Sequence, residues 1–565
     1  MKNKIMPGMQ FFRQHIQLSI VLLALMLFIP FLGTVHLFDW DEINFAECAR
    51  EMIVTKNYLN LQMNFLPFWE KPPLFIWMSS LSMKIFGVTE FAARLPNAIC
   101  GIFTLLIIFK IGRKFFDEKL GLIWVLCYAC STLPHFYFKT GIIDPWFNLF
   151  IFCSIYYFAL FSFRGDDFKK VKLKFAVYSA ILLGLAILTK GPAAAIILGI
   201  CFILYMQVRL FKLKLNVWHL IIFFIVSVVI GGVWFGLLIL NGQTGIIQHF
   251  ISYQVHLFNT EDSGHGGPFY YHFAVLLIGC FPASIFALFS FRNTESNPLQ
   301  RHFKLWMILL FWVVLVLFSI VETKIIHYSS LCYFPLTFFA AQSVHKLWHA
   351  NSKWSGWHSF LILFIGGLFS IVLILAALAN CFKEEILAAK WINDDFALEN
   401  FKSAVPWNGL EVSIGFFLFS TIMYSLWLVK KQKIKKALIY LFIGNLITVQ
   451  LTAIIVAPKI EQYTQAAAIS FFQSNQNKDV YILSLNYHSY AQYFYSQKMP
   501  PVNRESLVTD WLLRGPNDKE VMVISKITSR DDILKTYPDL QQTGAKNGYV
   551  FYKRPISTKS KLPIQ

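Results

Sequence analysis

Charge is what this sequence has least of. Only 14% of its 565 residues are Asp, Glu, Lys or Arg, against about 25% in a typical soluble domain. Acidic residues are the scarcer sign, 31 against 50 basic ones, which leaves a net charge of +19. With 56% hydrophobic residues and a mean hydropathy of +0.54, so little charge excludes a soluble enzyme. The 58 Phe and 16 Trp exclude a disordered chain, because that much apolar bulk would have nowhere to go in water. Cysteine offers no scaffold either. The nine Cys fall mostly inside apolar runs, so a disulfide-rich secreted domain is excluded, and Cys127 and Cys130 of the one C-x-x-C read as packing. No internal repeat and no low-complexity tract is visible. What remains is a polytopic α-helical membrane protein.

Its basic excess fits that class better than a nucleic-acid binder, since Lys and Arg collect in cytoplasmic loops. A helix needs about 20 apolar residues to cross the bilayer core. On that scale the sequence predicts thirteen spans, centred near residues 27, 102, 129, 152, 182, 200, 228, 282, 312, 335, 368, 419 and 447. The first apolar run follows Lys2, Lys4 and Arg13 as a signal peptide would. It is too long for an h-region and no small-x-small site follows it, so it is expected to stay as the first span. Short basic connections alternate with less basic ones, and the basic set holds 25 of the 50 Lys and Arg. That bias predicts a cytoplasmic N-terminus, and an odd number of spans then puts the C-terminus outside.

Three outer segments are too long to be turns: 39–91, 241–271 and 382–402. Within the first, 43–54 and 74–86 have mixed apolar and polar faces and read as amphipathic helices at the membrane surface. The second, with its Gly, His and aromatic residues, reads as a loop folded back into a cavity. After residue 457 the composition turns soluble. β-branched runs at 479–485, 520–527 and 549–552, separated by helical stretches near 460–473 and 506–513, predict a small extracytoplasmic α/β domain. The expected division is therefore a transmembrane part over 1–457 and an α/β domain over 458–565.

Ionisable residues near a membrane that positive-inside bias does not explain are functional candidates. Asp39, Asp41 and Glu42 directly follow the first span. One acid there would serve as an N-cap, and three within four residues point to a catalytic carboxylate. Glu70 and Lys71 precede Pro72-Pro73, where Lys71 either opens a helix or presents a point cation to phosphate. Asp144 stands before Pro145 as a cap or a reacting acid. Lys190 precedes Gly191-Pro192 in an outer turn, either snorkelling or binding an anion. Lys324, His327 and Tyr328 lie at an outer span end. Each has a structural reading of its own, but together they place acids beside cations on one membrane face. That suits a reaction in which a lipid phosphate leaves while another group loses a proton.

Several of these stretches resemble a known family. Asp41-Glu42, Phe45-Ala46-Glu47 and Ala49-Arg50-Glu51-Met52 are similar to the pattern DExRYAEIAREM. Phe68 to Leu74, Ala93 to Pro96, Gly184 to Pro192, His265 to Tyr271, and Lys324 to Tyr328 followed by Pro335 resemble its further signatures. These mark membrane glycosyltransferases of the GT-C superfamily, of the aminoarabinose transferase (ArnT) type that modifies lipid A, with protein O-mannosyltransferases as more distant relatives.

The resemblance implies an inverting glycosyltransferase of the bacterial inner membrane. It would move a sugar from a polyprenyl-phosphate donor to a lipid or protein acceptor at the periplasmic face. By the same resemblance Asp41, Glu42 and Asp144 are candidate catalytic residues. Lys71, Lys190 and Lys324 would hold the donor phosphate or neighbouring anions, with Glu70, Tyr328, His256 and His265 lining the site. No cofactor is required by the sequence, although Glu70, His256 and His265 could hold a divalent cation. The sequence departs from the family where Asn44 and Phe45 replace an Arg and a Tyr, and where Leu257 precedes Phe258 in place of an Arg. Both changes remove anion-binding capacity, which bears on how highly phosphorylated an acceptor can be. Two rivals are an O-mannosyltransferase-like enzyme with a protein acceptor and a lipid-linked sugar flippase without chemistry. Transporters carry charged sites near the midplane and show repeated halves, features this sequence lacks.

Overall fold

The computed structural model describes residues 15–163, 172–210, 215–259, 266–292 and 295–557. Among them, eight helices are long and apolar enough to cross a membrane, or nine if the pair Glu118–Ala129 and Thr132–Lys139, bent by 82°, is one span. The eight carry the expected centres at 102, 152, 182, 228, 312, 368, 419 and 447.

The other five expected segments are helical but shorter or broken, for local reasons. Ile16–Phe28 has 13 residues, Ala193–Val208 has 16, and Tyr333–Trp348, with Pro335 in its first turn, has 16. Pro282 divides the segment centred on it into Tyr271–Gly279 and Ala283–Ala287, because proline has no N–H to continue a helix. Close approach helps to pack the bundle: a Cβ on Gly112 would come within 2.7 Å of the Gly121 backbone, so helices Glu90–Phe115 and Glu118–Ala129 meet without side chains between them.

The outer segments differ from expectation in an informative way. Helix Asp41–Thr55 does not lie on a surface; residues Glu42 to Met52 are all buried. Some of its polar residues pair inside the protein, Arg50 bonding Glu47 at 2.7 Å, while Asn44 Oδ1 and Glu51 Oε1 are buried with no hydrogen-bond partner among the described residues. A two-stranded hairpin, β1 (Gln62–Met63) and β2 (Leu66–Pro67), leads to helix Leu74–Phe86. That helix buries Phe75, Ile76 and Met83 and exposes Leu81, Ile85 and Phe86. Among the described residues, the segment expected to be a folded-back loop carries a helix, Thr244–Asn259.

Toward the C-terminus, helix Ile434–Leu451 continues through a π-helical turn at Thr452–Val456 into Ala457–Thr464. Pro458 cannot donate to the carbonyl four residues back, and the chain widens there, as π-bulges do. Beyond it stands a sheet of β3 (Val480–Ser484), β4 (Glu520–Lys526), β5 (Gln541–Lys546) and β6 (Tyr549–Arg554), in the order β3-β4-β6-β5. Strands β3 and β4 are parallel, while β4–β6 and β5–β6 are antiparallel. Three of the four were legible as β-branched runs. β5 was not, because its polar sequence forms an exposed edge strand with an irregular register near Gly544.

Candidate active site

Leu32, Val35 and His36, ahead of Asp41, are held by one buried cation. Arg94, 4% exposed, donates to the carbonyls of Leu32, Val35 and His36 at 2.7 to 3.0 Å and grips Glu42 through two further bonds of 2.7 and 3.0 Å. Glu42 also accepts the backbone N–H groups of Phe38 at 2.9 Å and Gly141 at 2.5 Å. Both of its oxygens are thus filled by protein donors. Its place next to Asp41 had made it a catalytic candidate, and it does line the cavity that holds Asp41, but with both oxygens engaged by protein donors it also acts as an anchor. It ties the start of helix Asp41–Thr55 to the strap around Gly141, whose neighbours Thr140 and Ile142 are held through their carbonyls by Asn97 at 2.7 and 2.6 Å.

That strap runs directly into Asp144, the first residue of helix Asp144–Ser162, with Pro145 beside it in the first turn. Lys190 is the last residue of helix Lys172–Lys190, and its ammonium lies 2.5 Å from Asp144 Oδ1. Gly191 makes the turn possible. Its φ of +93° favours glycine, and a Cβ there would stand 2.8 Å from the Phe250 ring. The Lys190 ammonium also sits 4.9 Å from the centre of the Tyr328 ring, a cation–π distance. The other oxygen of Asp144, Oδ2, is buried and has no hydrogen-bond partner among the described residues; His327 Nε2 stands 3.7 Å from it. The same Nε2 lies 3.2 Å from Asp41 Oδ2.

These groups share one cavity of about 480 Å³. Asp41, Asp144, Glu70, Lys71, Lys190, His327 and Tyr328 all line it, together with Tyr253, Lys139 and Arg94. Lys71 lies 5.1 Å from the centre of the Tyr253 ring, which helix Thr244–Asn259 brings in. Asp41 is 29% exposed, and Asp144 only 3%. Burial alone would raise the Asp41 carboxyl, but the His327 bond and charge, with Lys71 and Lys190, outweigh it and hold Asp41 at about 2. For Lys71 burial prevails and lowers its ammonium below the ordinary lysine range, against the pull of Glu70, Asp41 and Asp144. A carboxylate that stays ionised beside partly desolvated cations can orient or deprotonate a nucleophile and can stabilise a leaving anion.

Not every expected residue arrives. Lys324 is buried and does not line the cavity; its ammonium donates to the carbonyls of Phe318, Ser319 and Val321 and so caps helix Pro298–Ile320. A lysine near a helix C-terminus favours those unpaired carbonyls. His256 is on an exposed face and also lies outside the cavity lining. His265 lies outside the described residues. Among the described residues no group of three or more His, Cys, Asp and Glu is placed to hold a metal ion, so Glu70 and His256 form no such cluster there. His327 was noticed in sequence only as a neighbour of Tyr328, and Tyr253 not at all. The signal for the first was its place in the Lys324-to-Tyr328 stretch. For the second, the hydropathy pattern of 241–271 gave none.

Fold and site together define a class: a polytopic helical protein with eight or nine helices able to cross a membrane among the described residues, and a charged cavity between buried helix ends. Within that class the resemblance to ArnT-type glycosyltransferases read from the motifs is shown in sequence and in fold. The family model for dolichyl-phosphate-mannose-protein mannosyltransferase matches residues 70–235. The undecaprenyl phosphate-alpha-4-amino-4-deoxy-L-arabinose arabinosyl transferase of Wigglesworthia glossinidia brevipalpis is 28% identical over 348 residues, 60% of each chain. Its counterpart in Shewanella sediminis is 24% identical over 352 residues, 60% of this chain and 62% of that one. The matched region thus spans less than two thirds of these relatives. The crystal structure of ArnT from Cupriavidus metallidurans bound to undecaprenyl phosphate superposes with a TM-score of 0.72 at 17% identity, covering 95% of this chain and 97% of the other. Its apo form gives 0.73 at 15% identity, covering 96% and 98%.

Proposed function

We propose that the protein is an inverting glycosyltransferase that moves a sugar from a polyprenyl-phosphate donor to lipid A or a related envelope glycolipid at the periplasmic face of the inner membrane. The observation that carries this reading is the single cavity in which Asp41, His327 and Asp144 meet Lys71 and Lys190. The relatives named above support the donor class, because their names carry an undecaprenyl-phosphate-linked aminopentose. On this reading the chain crosses the bilayer thirteen times, with its N-terminus in the cytoplasm. The unit from 458 to 565 is a periplasmic domain.

Transfer passes through an oxocarbenium-like state. The acceptor attacks the anomeric carbon from the face opposite the departing polyprenyl phosphate. Asp41 takes the proton of a hydroxyl acceptor, and it orients an acceptor that is already a phosphate. General-base help of this kind contributes about 10²–10⁴ in rate. His327 bonds Asp41 and sets its direction. The vacant Oδ2 of Asp144 accepts a hydroxyl of the bound sugar, while Lys190 holds its other oxygen. Lys71 and Lys190 meet the charge growing on the leaving phosphate, where poor hydration strengthens them. Glu70 and Tyr328 line the same pocket.

A protein acceptor is the second reading, favoured by the match of residues 70–235 to the protein mannosyltransferase model. Two changes from the ArnT pattern favour it as well. Asn44 and Phe45 are both buried, and Phe45 lines the cavity without offering a hydroxyl or a charge. Mass spectra of lipid A and of envelope glycoproteins, from cells with and without the protein, separate the two acceptors. The deciding test of the reaction itself is Asp41→Asn, assayed for sugar transfer in membranes containing folded protein. Turnover should fall by at least about 10². Normal turnover removes Asp41 from the mechanism.

A further inference from the structure

A segment some 450 residues further along the chain holds the residues immediately ahead of Asp41. Ser489, 6% exposed, accepts the N–H of Ala491 at 3.2 Å and donates its own hydroxyl to Asp39 Oδ2. The Tyr490 backbone bonds the same carboxylate. The Trp40 ring lies against the rings of His488 and Tyr490, with centres 4.8 and 5.5 Å away, and those two rings meet edge-on at 4.9 Å. One step earlier, Leu37 gives its N–H to the Tyr495 hydroxyl at 2.7 Å and takes a bond from Gln465 at 3.1 Å. Trp40 in turn supplies the first carbonyl of helix Asp41–Thr55, accepting from Asn44 at 3.2 Å. Whatever moves Asp39 and Trp40 therefore moves the start of that helix, and Asp41 with it.

We infer that Ser489, with the rings of His488 and Tyr490, positions Asp41 for reaction, so that the turn between β3 and the helix Ala491–Tyr495 completes the active site from outside the helical bundle. The inference rests on the proposed transferase activity but concerns no group that touches substrate. Asp41 is reached from two sides. Arg94 and Glu42 fix the residues of its inner flank, and the Asp39–Trp40 side depends on the 488–490 turn. A displacement of about 1 Å at a reacting group can cost about 10² in rate, so loosening one flank is expected to slow turnover without emptying the donor pocket around Lys71 and Lys190.

The test uses the full-length protein purified in detergent. Hydrogen–deuterium exchange is followed in the peptide covering 36–44, and transfer is followed from an undecaprenyl-phosphate aminopentose donor. Ser489→Ala should speed exchange there and lower kcat about tenfold while donor KM stays within about twofold. Asp39→Asn, which keeps an acceptor oxygen for the Ser489 hydroxyl, should exchange as slowly as the parent, and Asp39→Ala should behave like Ser489→Ala. In the Asp39→Ala background, Ser489→Ala should add nothing further. Unchanged exchange in Ser489→Ala overturns the inference, as does an equal added loss in both backgrounds. A parent protein that transfers no sugar overturns the proposed function alone, since the exchange data still decide whether this turn holds the segment.

Discussion

The imidazole Nε2 of His327 stands 3.2 Å from the carboxylate of Asp41, across 286 positions of sequence. That single contact joins the buried helix Asp41–Thr55 to the 3₁₀ stretch Ile326–Cys332, which carries both His327 and Tyr328 into the cavity. The His327 bond and charge, with Lys71 and Lys190, hold the Asp41 carboxyl down against the effect of burial.

His327→Ala should therefore change the pH dependence as well as the rate. With its partner in place, Asp41 is held at about 2, so it remains a carboxylate through the neutral and mildly acidic range. A carboxyl depressed in the folded state adds stability that is present above its ordinary value near 4 and is lost as pH falls toward 2. Activity should consequently show no acidic limb from Asp41 above pH about 4. In His327→Ala the burial effect goes unopposed by the histidine, and an acidic limb should move upward into the measured range. A pH profile of kcat that is identical in both proteins would detach His327 from Asp41.

Lys71 and Lys324 should separate cleanly. Lys71 lines the cavity, so Lys71→Ala should raise donor KM by at least about tenfold, the scale of one lost charge-assisted contact. Lys324 caps helix Pro298–Ile320 and does not line the cavity that holds Asp41. Lys324→Ala should lower the unfolding temperature in detergent while leaving donor KM near that of the parent. Michaelis constants and thermal melts on the same preparations distinguish the two; a raised KM in Lys324→Ala would contradict the capping role.

Glu42→Gln tests the anchor. Removing one charge from a buried, fully bonded pair leaves Arg94 without its counter-ion, and losses of about 3–5 kcal/mol are typical of that change. The expected signature is a marked fall in thermal stability, seen by fluorescence or calorimetry. Simultaneous Arg94→Met should recover part of it, because the pair is then removed together. A Glu42→Gln protein as stable as the parent but unable to transfer sugar would return Glu42 to the catalytic set.

Gly191→Ala should damage the site from a distance. The added methyl meets the Phe250 ring at 2.8 Å in a backbone conformation that side chains disfavour. Relief requires shifting Lys190, the Phe250 ring, or the helix that bears both Phe250 and Tyr253. Donor KM should rise with modest loss of stability, and Gly191→Ala combined with Phe250→Ala should regain affinity more than either change alone predicts.

Much of this protein was legible without coordinates. Scarcity of charge and the length of the apolar runs dictate a helical membrane protein, since only such runs satisfy every backbone group in lipid. Local motifs marked Asp41, Lys71, Asp144, Lys190 and Tyr328, which all line the cavity. Other assignments depended on contacts that no local pattern encodes. Glu42 and Lys324 carry charges at plausible positions, yet their partners, Arg94 and the carbonyls of Phe318 to Val321, come from elsewhere in the fold or from a helix end whose place the sequence leaves open. Tyr253 reaches the cavity only because its helix packs there. The π-helical turn before Pro458 brings Ala453 and Ala457 to the wall in the same way.

Sequence by itself settled the solvent this chain folds in and the residue types available for chemistry, because hydropathy and charge act through short-range rules. Tertiary structure alone decided which charges are free to meet a substrate and which are consumed in holding the frame. That difference turns on distances of 3 Å between residues hundreds of positions apart, fixed by how buried helices pack and by the need to pair every charge withdrawn from water.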